Sequence, residues 1–243
     1  MQEDEGFGCR KAEKEAMRLY HYLETRWALD DIRRRRLKLS TIEDMNDPYE
    51  GFSVCSDHEV TQAALEKTQW EFVNKYIALC FSLSPNNMLM WSHYGEKHKG
   101  ICLGFDVLDE LTRPVEYIHD VQTVANMIVK RREDFSVEEG TKIVDLLCGA
   151  KYDGWCYEQE VRIHLGRNEK DEETGQYFRE FGDHLVLKEV IAGVRFPYSK
   201  KLIHDALSGY SGQEEVTILK ARRSTKKFEI VLDESGFDLN TAE

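Results

Sequence analysis

The chain has 243 residues, 41% hydrophobic and 11% aromatic, so it is built to bury a core and is neither a disordered nor a low-complexity polymer. Its formal net charge of −12 disfavours loose binding to nucleic acid or to an anionic membrane surface. The six cysteines (Cys9, Cys55, Cys80, Cys102, Cys148 and Cys156) form no CxxC pair and no Cys/His cluster of zinc-finger spacing, so reduced thiols and a cytoplasmic protein are expected, with no metal site.

In chain order, residues 1–17 are rich in Glu, Lys and Asp and carry no apolar signal core; they read as a flexible leader ahead of one domain over 18–243. No apolar stretch is long enough to span a bilayer, and no membrane association is expected. Leu19–Tyr22 has strand character. Glu24–Arg36 reads as a helix with Trp27, Ala28 and Ile32 on its apolar face, and Arg33 to Arg36 complement the dipole at its C-terminal end. A second short strand, Leu37–Ser40, leads into a helical turn at Thr41–Met45, closed by the breaker Asn46-Asp47-Pro48. A helix follows over 57–75, with Ala63, Ala64, Trp70 and Val73 among its apolar positions. Next come a buried strand (Tyr76–Leu83), a short helix (Met88–Tyr94) and a strand (Gly100–Phe105). Residues 121–133 and 136–150 suggest two helices, the second amphipathic through Ile143, Val144, Leu146 and Leu147. Beyond Gly154 the character turns to β, with strands at Glu160–Leu165, Tyr177–Phe181, Val186–Val194, Val216–Ala221 and Phe228–Leu232, interrupted by a helix at Ser199–Leu207. This order implies an α+β fold with split sheets and helices packed around them.

Four segments carry residues of chemical interest. Tyr20-His21-Tyr22 sets three polar aromatics in one short strand, where alternation places the tyrosines on one face and His21 on the other. Asn46-Asp47-Pro48-Tyr49-Glu50 gathers two carboxylates, a carboxamide and a phenol in one loop. Phe81-Ser82-Leu83-Ser84 ends a strand, and Trp91 and Tyr94, three apart on the following helix, suit stacking on a flat ring. In Glu158-Gln159-Glu160-Val161-Arg162 three charges alternate, as on one face of a strand. Two close carboxylates there suit acid/base or cation-stabilising work. The plainer alternative for that segment is a solvent-facing edge strand with a Glu–Arg pair of little energetic weight.

Taken together, Leu19–Tyr22, Leu29–Ile32, Leu37–Ser40, Asn46-Asp47-Pro48-Tyr49-Glu50, Met90-Trp91-Ser92-His93-Tyr94 and Tyr157-Glu158-Gln159-Glu160-Val161-Arg162 resemble a large bacterial family of unknown function, some of whose relatives are linked to abortive phage infection. A more distant resemblance is to the ADP-ribosyltransferase fold, in the order of a His-bearing first strand (His21), an aromatic-Ser-x-Ser strand end (Phe81 to Ser84) and a Glu-x-Glu (Glu158 to Glu160). That second resemblance implies a split-sheet core and NAD⁺ as co-substrate. It implies Glu160 beside the ribose, stabilising the developing cation, and Glu158 orienting or deprotonating the acceptor. His21, Tyr22, Ser82, Ser84, Trp91, Tyr94 and Arg162 would bind the nucleotide, with His21 at the adenosine-side ribose or the diphosphate and Trp91 or Tyr94 on the nicotinamide. Asn46, Asp47 and Glu50 would form the rim. The chain lacks the arginine that the family pattern places before the Ser-x-Ser segment, which leaves Arg162 or Arg26 for the diphosphate. The acceptor, whether protein, nucleic acid or water, is not specified, and a toxin or phage-defence effector would come with a neutralising partner protein. On this reading Glu160→Gln abolishes NAD⁺ turnover and leaves folding intact. Two other readings stand beside it: a catalytically silent nucleotide-binding module on the same fold, and a metal-dependent nuclease using His21, Asp47, Glu50, Glu158 and Glu160.

Overall fold

The structure, a computed structural model, describes residues 15–52, 55, 59–121, 147, 149–167, 169–235 and 237. Its strands are β1 (Ala16–Leu23), β2 (Arg36–Thr41), β3 (Tyr76–Ser82), β4 (Ile101–Leu108), β5 (Arg113–Pro114), β6 (Glu116–Ile118), β7 (Ala150–Tyr152), β8 (Glu160–Gly166), β9 (Tyr177–Glu180), β10 (Leu185–Ala192), β11 (Thr217–Arg223) and β12 (Ile230–Asp233). The helices are α1 (Thr25–Arg34), α2 (Glu59–Lys75), α3 (Met88–His93) and α4 (Lys200–Leu207). The α+β class is as expected. Most of the expected strands and helices are present within two or three residues. The expected helices at 121–133 and 136–150 fall almost wholly outside the described residues.

The main sheet runs β12-β11-β10-β4-β1-β3-β2-β9, with β8 and β5 added beyond β3. It divides at β3. One edge of β3 pairs with β8 along its whole length, from Tyr76↔Gly166 to Ser82↔Glu160. The other edge is shared, meeting β2 at Ile77 and Ala78 and β1 only at Ser82, opposite Tyr20. β1 then turns its full length to β4, from Ala16↔Leu108 to Leu23↔Ile101. Ala16 and Met17 are therefore paired strand residues and do not belong to a leader.

Strand composition explains the placement. β4 (ICLGFDVL) is a nearly continuous apolar run and lies between β1 and β10 with almost every residue buried, as a strand covered on both faces must be. On one face α1 and α4 press Ala28, Leu29, Ile32 and Ile203 onto Leu19 and Phe105. On the other, α3 presses Met90 and Trp91 against Tyr22, Cys102 and Ile191. Two apolar positions expected from the sequence face water instead. Trp27 is 52% exposed and Trp70 is 66% exposed, while Asp31 and Gln69 are buried in their helices. The arginine run at the end of α1 binds the loop before β9, through Arg34 with Glu173 and Arg36 with Asp171, and the Arg36 guanidinium stacks 3.6 Å from the Phe178 ring centroid.

Where the end of β1 meets the start of β4, and at the end of β10 nearby, two glycines let backbone pack directly on backbone. A Cβ on Gly100 would stand 2.2 Å from the Leu23 carbonyl oxygen, and one on Gly193 would stand 2.3 Å from that of His98. Both obstacles are backbone, which has no rotamer to give way. Gly100→Ala is therefore expected to lower stability by at least about 2 kcal/mol, read as a lower denaturant midpoint at unchanged slope.

Candidate functional site

A cleft of about 730 Å³ opens where β1 parts from β3. The register creates it: Tyr20, Ser82 and Glu160 lie side by side on one row across β1, β3 and β8, at the end where β1 leaves. The cleft wraps around the end of β1, so Tyr20, His21 and Tyr22 all line it although they alternate between faces. It is also lined by Asn46, Glu50, Ser82, Tyr94, Lys151, Glu158, Glu160 and Arg162.

Its floor is a buried network of three carboxylates and two cations. Arg162 grips Glu50 with Nη1 at 2.9 Å and Nη2 at 2.6 Å. It also donates to Glu160, from Nε at 2.7 Å and Nη2 at 3.0 Å. Lys151 Nζ donates to Glu160 Oε2 at 2.8 Å and to Glu158 Oε2 at 2.5 Å, and lies 3.6 Å from Glu50 Oε1. The second oxygen of Glu158 accepts from the Tyr94 hydroxyl at 2.5 Å, and that hydroxyl accepts from Asn46 Nδ2 at 3.0 Å. All five charged side chains are buried. The plain edge-strand alternative is thereby overturned: these are not exposed ion pairs of small worth but desolvated charges that depend on one another.

Glu158 is not on the strand. It ends a 3₁₀ turn, and Gln159 adopts left-handed backbone (φ 46°) before β8 begins at Glu160. That kink, with the Ser82 hydroxyl donating to the Glu158 carbonyl oxygen at 2.7 Å, swings the Glu158 carboxylate onto the same lysine as Glu160. The two carboxylates then diverge. Burial pushes the Glu158 carboxyl above the ordinary range, against the pull of Lys151 and Tyr94. Burial acts the same way on Glu160, but Arg162 and Lys151 together overcome it and hold that carboxyl at about 2. His21 donates from Nδ1 to the Cys80 carbonyl oxygen at 2.8 Å, and burial lowers its proton affinity, so its imidazole is neutral with the lone pair on Nε2.

Several expectations need correction. Trp91 is wholly buried, its indole N–H donates to the Pro85 carbonyl oxygen at 2.7 Å, and it packs edge-on to Tyr22; it does not reach the cleft and cannot stack on a ligand. Ser84 and Asp47 do not line the cleft either. The Ser84 carbonyl receives the Tyr22 hydroxyl at 2.7 Å, and Asp47 accepts from the Tyr49 amide at 2.9 Å to fold its turn. Glu50 belongs to the floor and not to the rim. Arg162 has its donors engaged by Glu50 and Glu160 and is not available to a diphosphate. Arg26 is exposed, pairs with Glu24 and does not line the cleft. Lys151 was not anticipated. It stands in a three-residue strand, β7, parallel to β6, and no local pattern in the sequence distinguishes it from a surface lysine.

Residues 90–163 match the sequence profile of a family described as a protein of unknown function, DUF2971. This stretch holds Tyr94, Lys151, Glu158, Glu160 and Arg162, so most of the network lies within the part of the chain that is similar to that family. No curated protein and no solved structure matches the chain. Among the described residues no helix is long and apolar enough to cross a membrane.

Lys151→Met leaves three buried carboxylates facing one arginine and is expected to cost about 3–5 kcal/mol of stability, measured by denaturant unfolding. The pH dependence follows from Glu160. Its folded carboxyl titrates near 2, below the roughly 4.3 of an unfolded glutamate. Its stabilisation is therefore complete above about 4.3 and is lost as pH falls towards about 2. Thermal melts across that window should show a steep acid decline that Glu160→Gln flattens.

Proposed function

We propose that the cleft breaks the N-glycosidic bond of NAD⁺ and passes ADP-ribose to an acceptor or to water, on an ADP-ribosyltransferase-like split sheet. The observation that carries this reading is geometric: two adjacent carboxylates at the cleft floor share Lys151, while of the two Arg162 grips only Glu160, an asymmetry that holds the Glu160 carboxyl low and leaves burial to raise that of Glu158. The leaving nicotinamide is already a pyridinium cation. It departs neutral with the bonding electron pair and needs no acid. What the reaction needs is a permanent anion beside the ribose as positive charge develops, and a base for the acceptor. Glu160, ionised at any physiological pH, supplies the first. Glu158, whose proton affinity exceeds that of an ordinary carboxylate, takes the acceptor's proton as the new bond to the ribose forms.

Other residues fit supporting parts. The Tyr20·Ser82·Glu160 row brings the first strand, the Ser-x-Ser strand and the Glu-x-Glu side by side, which supports the reading. Neutral His21 offers an acceptor nitrogen, which suits a ribose hydroxyl and not a phosphate. Tyr94 remains placed to meet a nicotinamide ring while its hydroxyl holds Glu158. A role as a toxin or phage-defence effector, with a neutralising partner protein, accords with this chemistry. The nuclease reading is less well supported. Glu50, Glu158 and Glu160 are each held by Lys151 or Arg162 in the positions a metal would take, and Asp47 lies outside the cleft. The silent-module reading uses the same pocket and differs only in outcome.

Purified protein incubated with NAD⁺ is expected to release nicotinamide, followed by chromatography. Glu158→Gln is expected to slow release by about 10²–10⁴-fold. Glu160→Gln is expected to abolish it, but at a cost in stability that the buried pairing with Arg162 and Lys151 makes unavoidable, so its circular dichroism must be native at the assay temperature. Wild-type turnover in a folded Glu160→Gln variant would sink the assignment. NAD⁺ bound and left intact identifies the silent module, and hydrolysis of nucleic acid dependent on a divalent ion identifies the nuclease.

A further inference from the structure

The cleft has a second cationic feature that the network does not use. Lys97 and Lys99 line it, both are exposed, and among the described residues neither forms an ion pair. The other cations in its lining, Lys151 and Arg162, are taken up by Glu50, Glu158 and Glu160. The two lysines sit in a loop held against its own preference. Glu96, Lys97 and His98 all have left-handed backbone, with φ of 50°, 53° and 69°. None is glycine, and each such residue costs roughly 1–2 kcal/mol. The surroundings enforce this shape. The Thr25 hydroxyl donates to the Lys99 carbonyl at 3.0 Å, the Arg195 amide to that of His98 at 2.8 Å, and the Gly100 amide to that of Gly95 at 2.9 Å. Glu96, in the same loop, turns its carboxylate to the Thr25 amide at 3.1 Å at the start of α1, and among the described residues it forms no ion pair with either lysine. Beside this loop Trp27 also lines the cleft; the Arg26 guanidinium stacks over its ring at 4.4 Å from the centroid, and the side chain is still 52% exposed, which leaves apolar surface open where a helix would ordinarily turn it inward.

We infer that Lys97 and Lys99 bind the phosphate groups of a nucleoside diphosphate substrate, with Trp27 as the surface on which its base rests. This rests on the nucleotide reading above and supplies the diphosphate contact that Arg162 cannot make. The strained loop has a purpose on this account: it holds two unpaired ammonium groups in a cleft whose floor carries a net negative charge, so that a phosphorylated ligand is oriented with its anionic part away from Glu158 and Glu160.

The test is calorimetry on the full chain with ADP-ribose, inorganic pyrophosphate and adenosine, using wild type and the double variant Lys97→Gln/Lys99→Gln. The wild type is expected to bind ADP-ribose and pyrophosphate. The double variant, with an unchanged melting temperature, is expected to bind ADP-ribose at least about tenfold more weakly and to lose pyrophosphate, while adenosine affinity stays the same. Raising the salt concentration should narrow the gap between the two proteins. Equal ADP-ribose affinity in the double variant overturns the inference even if NAD⁺ is cleaved. A parallel loss of adenosine overturns it too, since that marks general damage to the cleft, and so does a wild type that binds neither ADP-ribose nor pyrophosphate. Loss of pyrophosphate binding in the variant upholds it even if nicotinamide is never released.

Discussion

Five buried charges, Glu50, Lys151, Glu158, Glu160 and Arg162, are the constraint around which the remainder of the molecule is arranged. None is tolerable alone at that depth, where an unpaired charge is far more costly than a lost contact. They come from four separate segments: the turn after β2, the short β7, the 3₁₀ turn before β8, and β8 itself. Satisfying them fixes how those segments meet. It also leaves one carboxyl easy to protonate and its neighbour hard to protonate, which is the electrostatic asymmetry that the proposed chemistry uses.

The backbone serves the same end. β3 shares one edge between β1 and β2, and the gap between those two strands is the mouth of the cleft. A continuous sheet would have filled that space with side chains. Among the described residues, four of the five non-glycine positions with left-handed backbone also fall at its margin: Gln159 between the two glutamates, and the run Glu96 to His98; the fifth, Arg35, caps the end of α1. Left-handed backbone at non-glycine residues persists only where packing over-determines it, and it gathers here.

Periodicity and turn chemistry made most of the fold legible. The β4 segment is apolar throughout and proves central, and the strand–helix–strand opening through β1, α1 and β2 is where the pattern puts it. Trp27, Trp70 and Trp91 show where such reasoning fails. Helical spacing cannot say which aromatic faces a neighbour, and only Trp91 is covered, by Tyr22 and the Pro85 carbonyl. Within the site, the Glu-x-Glu segment, Ser82, Tyr94, Asn46 and His21 were visible as unusual local groupings and do meet at one cleft. Lys151 was not visible, because its significance lies wholly in partners distant along the chain. Strict alternation also gave the wrong reason for a correct grouping: Glu158 and Glu160 converge because of a kink, not because they share a strand face.

The position of β1 bears on how the chain acquires its shape. This strand is near the N-terminal end of the sequence yet central in the sheet, with Ala16 opposite Leu108 and Tyr20 opposite Ser82. A ribosome would deliver it long before either partner exists. Until β3 and β4 emerge it has both edges unpaired, and its pairings close long loops, which slows folding. The nascent chain thus passes through an interval in which an aromatic-rich strand has no mate, and that interval, more than the finished structure, is where self-association or a chaperone would find it.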